Sequence, residues 1–252
     1  MTEDRELFIR HLADLSRRAD SGCYYTFTRF LGLAEQSALR EAAPRLAVPP
    51  VLFGGCEGAE RVIARFGDGE EIGYDEPFPI VCLKIAPRSQ KFADKLTHRD
   101  FLGAILNLGI ERSRLGDIVI RDNVGYVFAR EDIAVYIADS LSRIKHTDVR
   151  ATVTEELPED GELYKTEMRR IQLSGERVDA VIAKVFSLSR DDAQALFKRG
   201  LVFVSGRCVE SVSHTPRDGD VISVRGYGRF IYRGYSSLTK KGNLNIEVDL
   251  YV

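Results

Sequence analysis

The one triplet in this chain laid out for acid–base chemistry is His98-Arg99-Asp100. In catalytic loops with that order the aspartate is the base, and an asparagine five residues later holds magnesium. Here the next asparagine, Asn107, lies seven residues beyond Asp100, and neither the glycine-rich loop nor the V-A-I-K strand of such enzymes occurs. A structural role accounts for the same residues, because Thr97 followed three positions later by Asp100 has the spacing of a capping box at a helix start. The turn Gly54-Gly55-Cys56-Glu57-Gly58 lacks the Gly-Lys-Ser/Thr of a phosphate loop, and Glu57 and Glu60 would repel a phosphate. Cys23, Cys56, Cys82 and Cys208 show no C-x-x-C spacing, and no two of His11, His98, His146 and His214 are spaced to share a helix face. Buried free thiols, no metal and no cofactor are the expectation.

Cations are the other chemistry available. The net charge of −2 hides an asymmetry: Met168 to Lys241 holds 14 Lys plus Arg against 7 Asp plus Glu, a balance of +7 that leaves −9 for the remainder. Only the C-terminal part is built to meet phosphate. Within it, Arg225, Tyr227, Arg229, Phe230, Tyr232 and Arg233 interleave cation and aromatic, the composition of a strip that follows a nucleic-acid backbone while stacking unpaired bases. Packing on a sheet is the plainer alternative for Phe230 and Tyr232. With 44% hydrophobic and 29% charged residues the make-up is that of a globular protein with two or three small cores. No apolar run reaches the roughly 20 residues of a membrane span, and the opening residues lack a signal-peptide layout, so no membrane contact and a cytoplasmic location are expected.

Those residues must be positioned by an α+β chain. Leu7, Phe8, His11, Leu12 and Leu15 fall at helical spacing within Arg5 to Arg18. A second helix near Ala34 to Ala43 is stopped by prolines, and short strands follow at Val51 to Phe53 and Arg61 to Phe66. A strand at Ile80 to Ile85 leads to a helix at Thr97 to Leu108, then strands at Asp117 to Arg121 and Gly125 to Ala129 around Asp122-Asn123. A helix at Glu131 to Ile144 and a strand near Val149 to Val153 complete a βαββαβ order. That order is the ferredoxin-like plan of RRM domains, although of an RNA-reading signature only Tyr126 and Phe128 are present, and core packing suits them better. Residues 1–75 thus read as an N-terminal α/β region, 76–154 as an RRM-like domain and 155–167 as an acidic linker. Within 168–241, helices at Val178 to Phe186 and from Ser189 form a tight hairpin, with Asp192 as capping partner and Gly200 as the left-handed stop. Strands at Leu201 to Val204, Arg207 to Val209 and Val221 to Val224 make the unit ααβββ-like, with a C-terminal extension to 252.

Arg177-Val178-Asp179, Ser189-Arg190, Gly200-Leu201-Val202-Phe203-Val204-Ser205-Gly206 and Gly219-Asp220-Val221-Ile222 resemble the S-four RNA-binding domain over about 50 residues. Leu96-Thr97-His98-Arg99-Asp100-Phe101-Leu102-Gly103, Leu108-Gly109-Ile110, Gly116-Asp117-Ile118 and the tail Arg225-Gly226-Tyr227-Gly228-Arg229-Phe230 are similar to bacterial YlmH-type RNA-binding proteins. The resemblance implies binding to ribosomal RNA, with the large ribosomal subunit and peptidyl-tRNA as partners in translation rescue or quality control. It also implies an RNA face carried by Arg177, Arg190, Lys198, Arg199 and Arg207, with Ser205 at the turn where the family has asparagine, and with Val178 where it has leucine. Fixed cations suit structured RNA, whose base edges lie hidden in a deep groove. Arg190, just past a helix cap, should add its fork to the pull of the helix N–H groups.

Two rival readings are open. An RNA-modifying enzyme of the pseudouridine synthase type needs a catalytic aspartate, for which Asp100 is the only candidate, in a domain that is too short. Synthetase and methyltransferase motifs are missing from the sequence. A protein adaptor, whose acidic N-terminal region holds a protein partner while the basic domain anchors it on RNA, is compatible with the main reading.

Overall fold

The computed structural model describes residues 3–155, 163–239 and 242–251. They fall into two compact units that divide between Leu163 and Tyr164.

In the first unit the helical spacing of Leu12, Leu15 and Ala19 becomes the buried face of α1 (Glu3–Gly22), which packs with Leu31, Leu39, Ala64 and Phe66. α2 (Leu33–Ala42) follows β1 (Thr26–Phe27), and β2 (Val51–Phe53) and β3 (Ile63–Phe66) complete a small antiparallel sheet in the order β1-β3-β2. Ser16, fully buried, exchanges hydrogen bonds with the backbone of Val48 at 3.1 and 2.8 Å and so satisfies a polar group inside this core. A one-turn α3 (Gly69–Ile72) leads out of the region.

A second core forms around β4 (Ile80–Pro87), α4 (His98–Leu106), β5 (Leu115–Arg121), β6 (Val124–Arg130), α5 (Glu131–Ser140), β7 (Arg143–Ile144) and β8 (Thr147–Thr154). Their sheet is antiparallel with the order β5-β6-β4-β8-β7. Alternation sends Leu83, Ile85, Val127 and Ala129 to one face, against Phe101 and Ile105 of α4 and Ile133 and Ile137 of α5. Gly125 sits in mid-strand because a Cβ there would stand 2.5 Å from the Phe101 ring. Asp122 and Asn123, at φ +51° and +63°, make the two-residue hairpin turn that needs both residues left-handed. α5 is shorter than the spacing predicted. Leu141 turns extended, and Ile144 is buried as part of an edge strand paired to Thr147. Apolar spacing alone does not separate the two outcomes.

The expected N-terminal region and middle domain share one compact unit. The Phe30 amide donates to the Ser113 carbonyl, the Asp117 carboxylate accepts from the Glu60 and Arg61 amides at 2.7 and 3.0 Å, and the Arg61 guanidinium donates to the carbonyls of Leu115 and Phe30. Arg112 shares the Leu115 carbonyl, and burial together with the nearby Arg61 charge pushes its guanidinium down to about 10. On the sheet face opposite the helices Tyr126 and Phe128 are buried, and Gly55 lies against the Phe128 ring.

Residues 156–162, most of the expected linker, lie outside the described residues. The second unit opens with β9 (Thr166–Leu173) and contains α6 (Val178–Val185), α7 (Arg190–Lys198), β10 (Val202–Val204), β11 (Arg207–Cys208), β12 (Val221–Val224), β13 (Gly228–Leu238) and β14 (Leu244–Tyr251). All six strands join one antiparallel sheet in the order β11-β10-β12-β13-β14-β9. The apolar faces of α6 and α7 close over Val202, Val204, Ile222, Val224, Phe230, Ile246 and Val248. The sheet therefore has three more strands than the sequence pattern suggested, and the tail beyond Val224 belongs to it. Among the described residues no helix is long and apolar enough to cross a membrane.

Candidate nucleic-acid interface

The second unit's cations are organised around a buried acid. Asp179, the second residue of α6, is 0% exposed. Its carboxylate accepts from Arg177 Nε and Nη2 at 3.2 and 3.0 Å, from Arg190 Nη2 at 3.1 Å and from Gln194 Nε2 at 3.2 Å. Four donors on one carboxylate satisfy its lone pairs, and its place in the first turn of α6 adds the favourable field of the helix start. Arg190 and Gln194 are four residues apart and so lie on the same face of α7. The consequence is positional. Arg177 and Arg190, each with about half its side chain exposed, are held from below by one buried charge while their outer edges face solvent. Two guanidiniums on one carboxylate leave a net positive, pre-oriented pair, an arrangement matched to phosphate oxygens.

Lys198 ends α7 and Arg199 caps it, both exposed, where cations also offset the negative end of the helix. Gly200 takes φ +64° and turns the chain into β10. Arg207 is exposed on β11 opposite Val204. Ser205 and Gly206, at φ +46° and +73°, form the left-handed hairpin turn, and Ser205 is exposed. Its hydroxyl donates to Asp220 Oδ1 at 2.7 Å, so that hydrogen is engaged within the protein.

The strip after Val224 divides. Phe230 was placed in the RNA-binding strip with sheet packing as the alternative; it is fully buried, at 0% exposure, paired with Ile222 and Leu250 in the core, and it leaves the RNA-facing set. Alternation decides this: Ile222 and Phe230 point to the helices, whereas Ser223 and Arg229 point to the other face. Tyr232 is buried likewise, its hydroxyl donating to Glu176, and burial followed by that bond pushes its pKa up. Arg229 lies between the rings of Tyr164 and Tyr251, at 4.3 and 4.1 Å from their centroids. Arg225 is exposed with its guanidinium over Phe203, and Tyr227 is 48% exposed beside Phe186. Arg233 pairs with Asp249 and Arg170 with Glu247, so β14 offsets part of the positive excess of its neighbours. The ten predicted residues thus form no single surface. Arg177, Arg190, Lys198 and Arg199 lie on the helical hairpin, Arg207 and Ser205 on the β10–β11 turn, and Arg229 on the sheet face turned away from the helices. Gln194 completes the hairpin site and was missed; its spacing from Arg190 was the signal for it.

One expected contribution is offset. Ser189 accepts from the Asp192 amide at 3.0 Å, and Asp191 and Asp192 occupy the first turn of α7. The helix start therefore meets two carboxylates already, and Arg190 acts through its side chain.

Asp100 is held as a structural group. Its carboxylate accepts from the Thr97 amide and hydroxyl at 2.7 and 2.6 Å and lies 2.7 Å from Lys145 Nζ. These bonds, led by the one to Lys145, pull its pKa from 3.8 down to about 2. A carboxylate depressed in the folded state stabilises above its unfolded pKa, and that contribution is lost as pH falls through the folded value. Asp100→Asn is therefore expected to lower the melting temperature at pH 7, with the difference from the parent shrinking as pH falls from 3.8 towards about 2. Thermal melts across that range check it, and a difference independent of pH would refute the ion-pair account.

Residues 74–156 match the family described as "Putative RNA-binding domain in YlmH". The chain is 28% identical over 242 residues to the Bacillus subtilis (strain 168) protein named "Ribosome-associated protein quality control protein P2", covering 95% of this chain and 92% of that one. A solved structure titled "Cell division protein ylmH from Streptococcus pneumoniae" aligns with 61% of this chain and 93% of its own, at 21% identity and a TM-score of 0.49. With residues 74–156 matching the YlmH RNA-binding domain and a relative matched almost end to end, the chain resembles YlmH-type RNA-binding proteins.

Proposed function

We propose that this chain is a non-catalytic, cytoplasmic RNA-binding protein that acts in ribosome quality control by holding structured ribosomal RNA of the large subunit, with peptidyl-tRNA as a second ligand. The single observation that carries this reading is the Arg177–Asp179–Arg190 group, in which a buried carboxylate fixes two half-exposed guanidiniums. Pre-oriented cations favour a phosphate array over mobile ones, because less side-chain freedom is lost on binding. The second unit is an S-four-like domain in this reading: its helical hairpin presents Arg177, Arg190, Lys198 and Arg199, and its β10–β11 turn adds Arg207 and Ser205. Arg225, Tyr227 and Arg229 make a separate set of contacts. The middle domain is RRM-like, which its strand order β5-β6-β4-β8 supports, although its sheet aromatics are buried. The match to a relative named for ribosome-associated quality control supports the ribosomal assignment. The absence of catalysis is supported by the engagement of Asp100 with Thr97 and Lys145.

Sequencing the RNA crosslinked to the tagged full chain in cells tests the proposal. Reads concentrated in large-subunit ribosomal RNA and tRNA are expected. Reads spread over messenger RNA, with none enriched in the large subunit, would overturn it.

A further inference from the structure

We infer that the loop joining β4 to α4 is a second RNA-contact site, in which Phe92 stacks on an unpaired base while Arg88, Lys91 and Lys95 hold the flanking phosphates. The inference rests on the RNA-binding reading and extends it to a place in the middle domain.

Phe92 is 80% exposed, the most exposed large apolar side chain among the described residues. An isolated exposed residue needs no explanation, but this one is set among cations on a loop that is pinned down. The Gln90 side chain donates to the Asp122 carbonyl, the Asp94 amide to Thr147 Oγ1 and the Leu96 amide to Asn123 Oδ1, while Asn123 Nδ2 donates back to the Asp94 carbonyl. The loop is thereby tied to two strand turns on either side of Phe92, which is left projecting. Lys91 Nζ stands 5.6 Å from the centre of its ring, and Arg88 and Lys95 are exposed nearby in sequence. Arg150, also exposed, lies opposite Ala86 at the same end of the sheet. The loop's own acid, Asp94, is turned to the protein, accepting from the His146 amide at 3.1 Å with the His146 ring at 3.5 Å.

An exposed aromatic ring on a pinned loop beside exposed cations is the arrangement that binds unpaired nucleotides, because every base has a face to stack and every linkage a charge to neutralise. The chemistry selects a single-stranded or looped segment, since the bases of a duplex are already stacked on one another. The sheet aromatics Tyr126 and Phe128 are buried, and of the exposed rings inside the segment that matches the YlmH RNA-binding family, Phe92 at 80% stands further out than Tyr74 and Tyr136.

The chain contains no tryptophan, so Phe92→Trp creates a single fluorescent reporter at the proposed contact. The full-length variant would be titrated with an RNA hairpin carrying an unpaired uridine loop and with a blunt duplex of the same stem, while anisotropy of labelled copies measures occupancy. Quenching of the indole by the looped hairpin, absent with the duplex at equal occupancy, is expected. Phe92→Ala should weaken binding of the looped hairpin about tenfold, the loss of one stacked base. Binding of the looped hairpin with unchanged indole emission would overturn this inference and leave the RNA-binding reading standing, whereas no anisotropy change with either RNA would count against both. Equal quenching by polyglutamate and by the looped hairpin would also overturn it, and would assign the loop to an acidic protein partner.

Discussion

Asp179→Asn is expected to weaken binding to ribosomal RNA by about tenfold while the chain remains folded, because it removes the charge that orients Arg177 and Arg190 without removing the side chain's shape. Neutralising the acid also makes the local charge more positive. If bulk electrostatics decided binding, affinity would rise, so the sign of the effect discriminates between orientation and charge. Asp179→Ala should cost more. It leaves a void under α6 and strips Gln194 Nε2, Arg177 and Arg190 of a common acceptor. Hydrogen bonds to charged groups contribute about 1.5–3 kcal/mol each when buried. Here both arginine partners are half exposed and recover water, so a total loss of about 2 kcal/mol is expected. Urea unfolding followed by circular dichroism, read beside RNA affinity, separates the two consequences. Asp179→Asn binding as tightly as the parent would remove the carrying observation from the account.

The variant Arg190→Ala, Lys198→Ala, Arg199→Ala is expected to show the largest loss of affinity, about a hundredfold at low salt, and a shallower dependence on salt. Each neutralised phosphate contributes roughly 0.7–0.9 to the slope of log affinity against log salt, so three lost contacts reduce that slope by about 2. Lys198 and Arg199 are exposed at the end of α7, and Arg190 at its start keeps Ser189 as the cap, so the fold should persist. A control variant with Arg170→Ala and Arg233→Ala removes two positive charges from the β9–β13 side of the same unit, where Glu247 and Asp249 already offset them. Its salt slope should stay close to the parent's. Equal losses per charge removed in the two variants would mean that diffuse charge, not the helical hairpin, governs binding.

How far the sequence foretold this depends on the kind of signal. Both caps, Thr97 with Asp100 and Ser189 with Asp192, were legible because capping depends on side chains within three residues of each other. The hairpin turns at Asp122-Asn123 and Ser205-Gly206 were legible for the same local reason. The pairing of Asp179 with Arg177, two residues away, is local, but Gln194 and Arg190 reach the carboxylate only once two helices pack. The strands β9 and β13 were not legible, whereas β14 was missed although Leu244, Ile246, Val248 and Leu250 alternate with Asn245, Glu247 and Asp249 in the period of a strand. β9 is the sheet's edge and buries only Ile171, so it has no apolar alternation to read, and β13 is interrupted by irregular register around Gly234 and Ser236. Missing those strands is what misplaced Phe230. In a flexible tail an aromatic among arginines is a stacking residue, whereas in a central strand the period of two sends every second side chain into the core. The Phe92 loop escaped notice because nothing local distinguishes a pinned loop from a mobile one; the pins come from Asn123 and Thr147, far along the chain.

The central claim, that the helical hairpin of the second unit attaches this chain to large ribosomal subunits, is tested most directly by sedimenting cell lysates through sucrose gradients. The tagged parent and the Arg190→Ala, Lys198→Ala, Arg199→Ala variant would be run in parallel at low salt. The account predicts the parent in the large-subunit fractions and the variant at the top of the gradient. Both proteins at the top at low salt, where phosphate contacts are strongest, or both with the subunit, would contradict it.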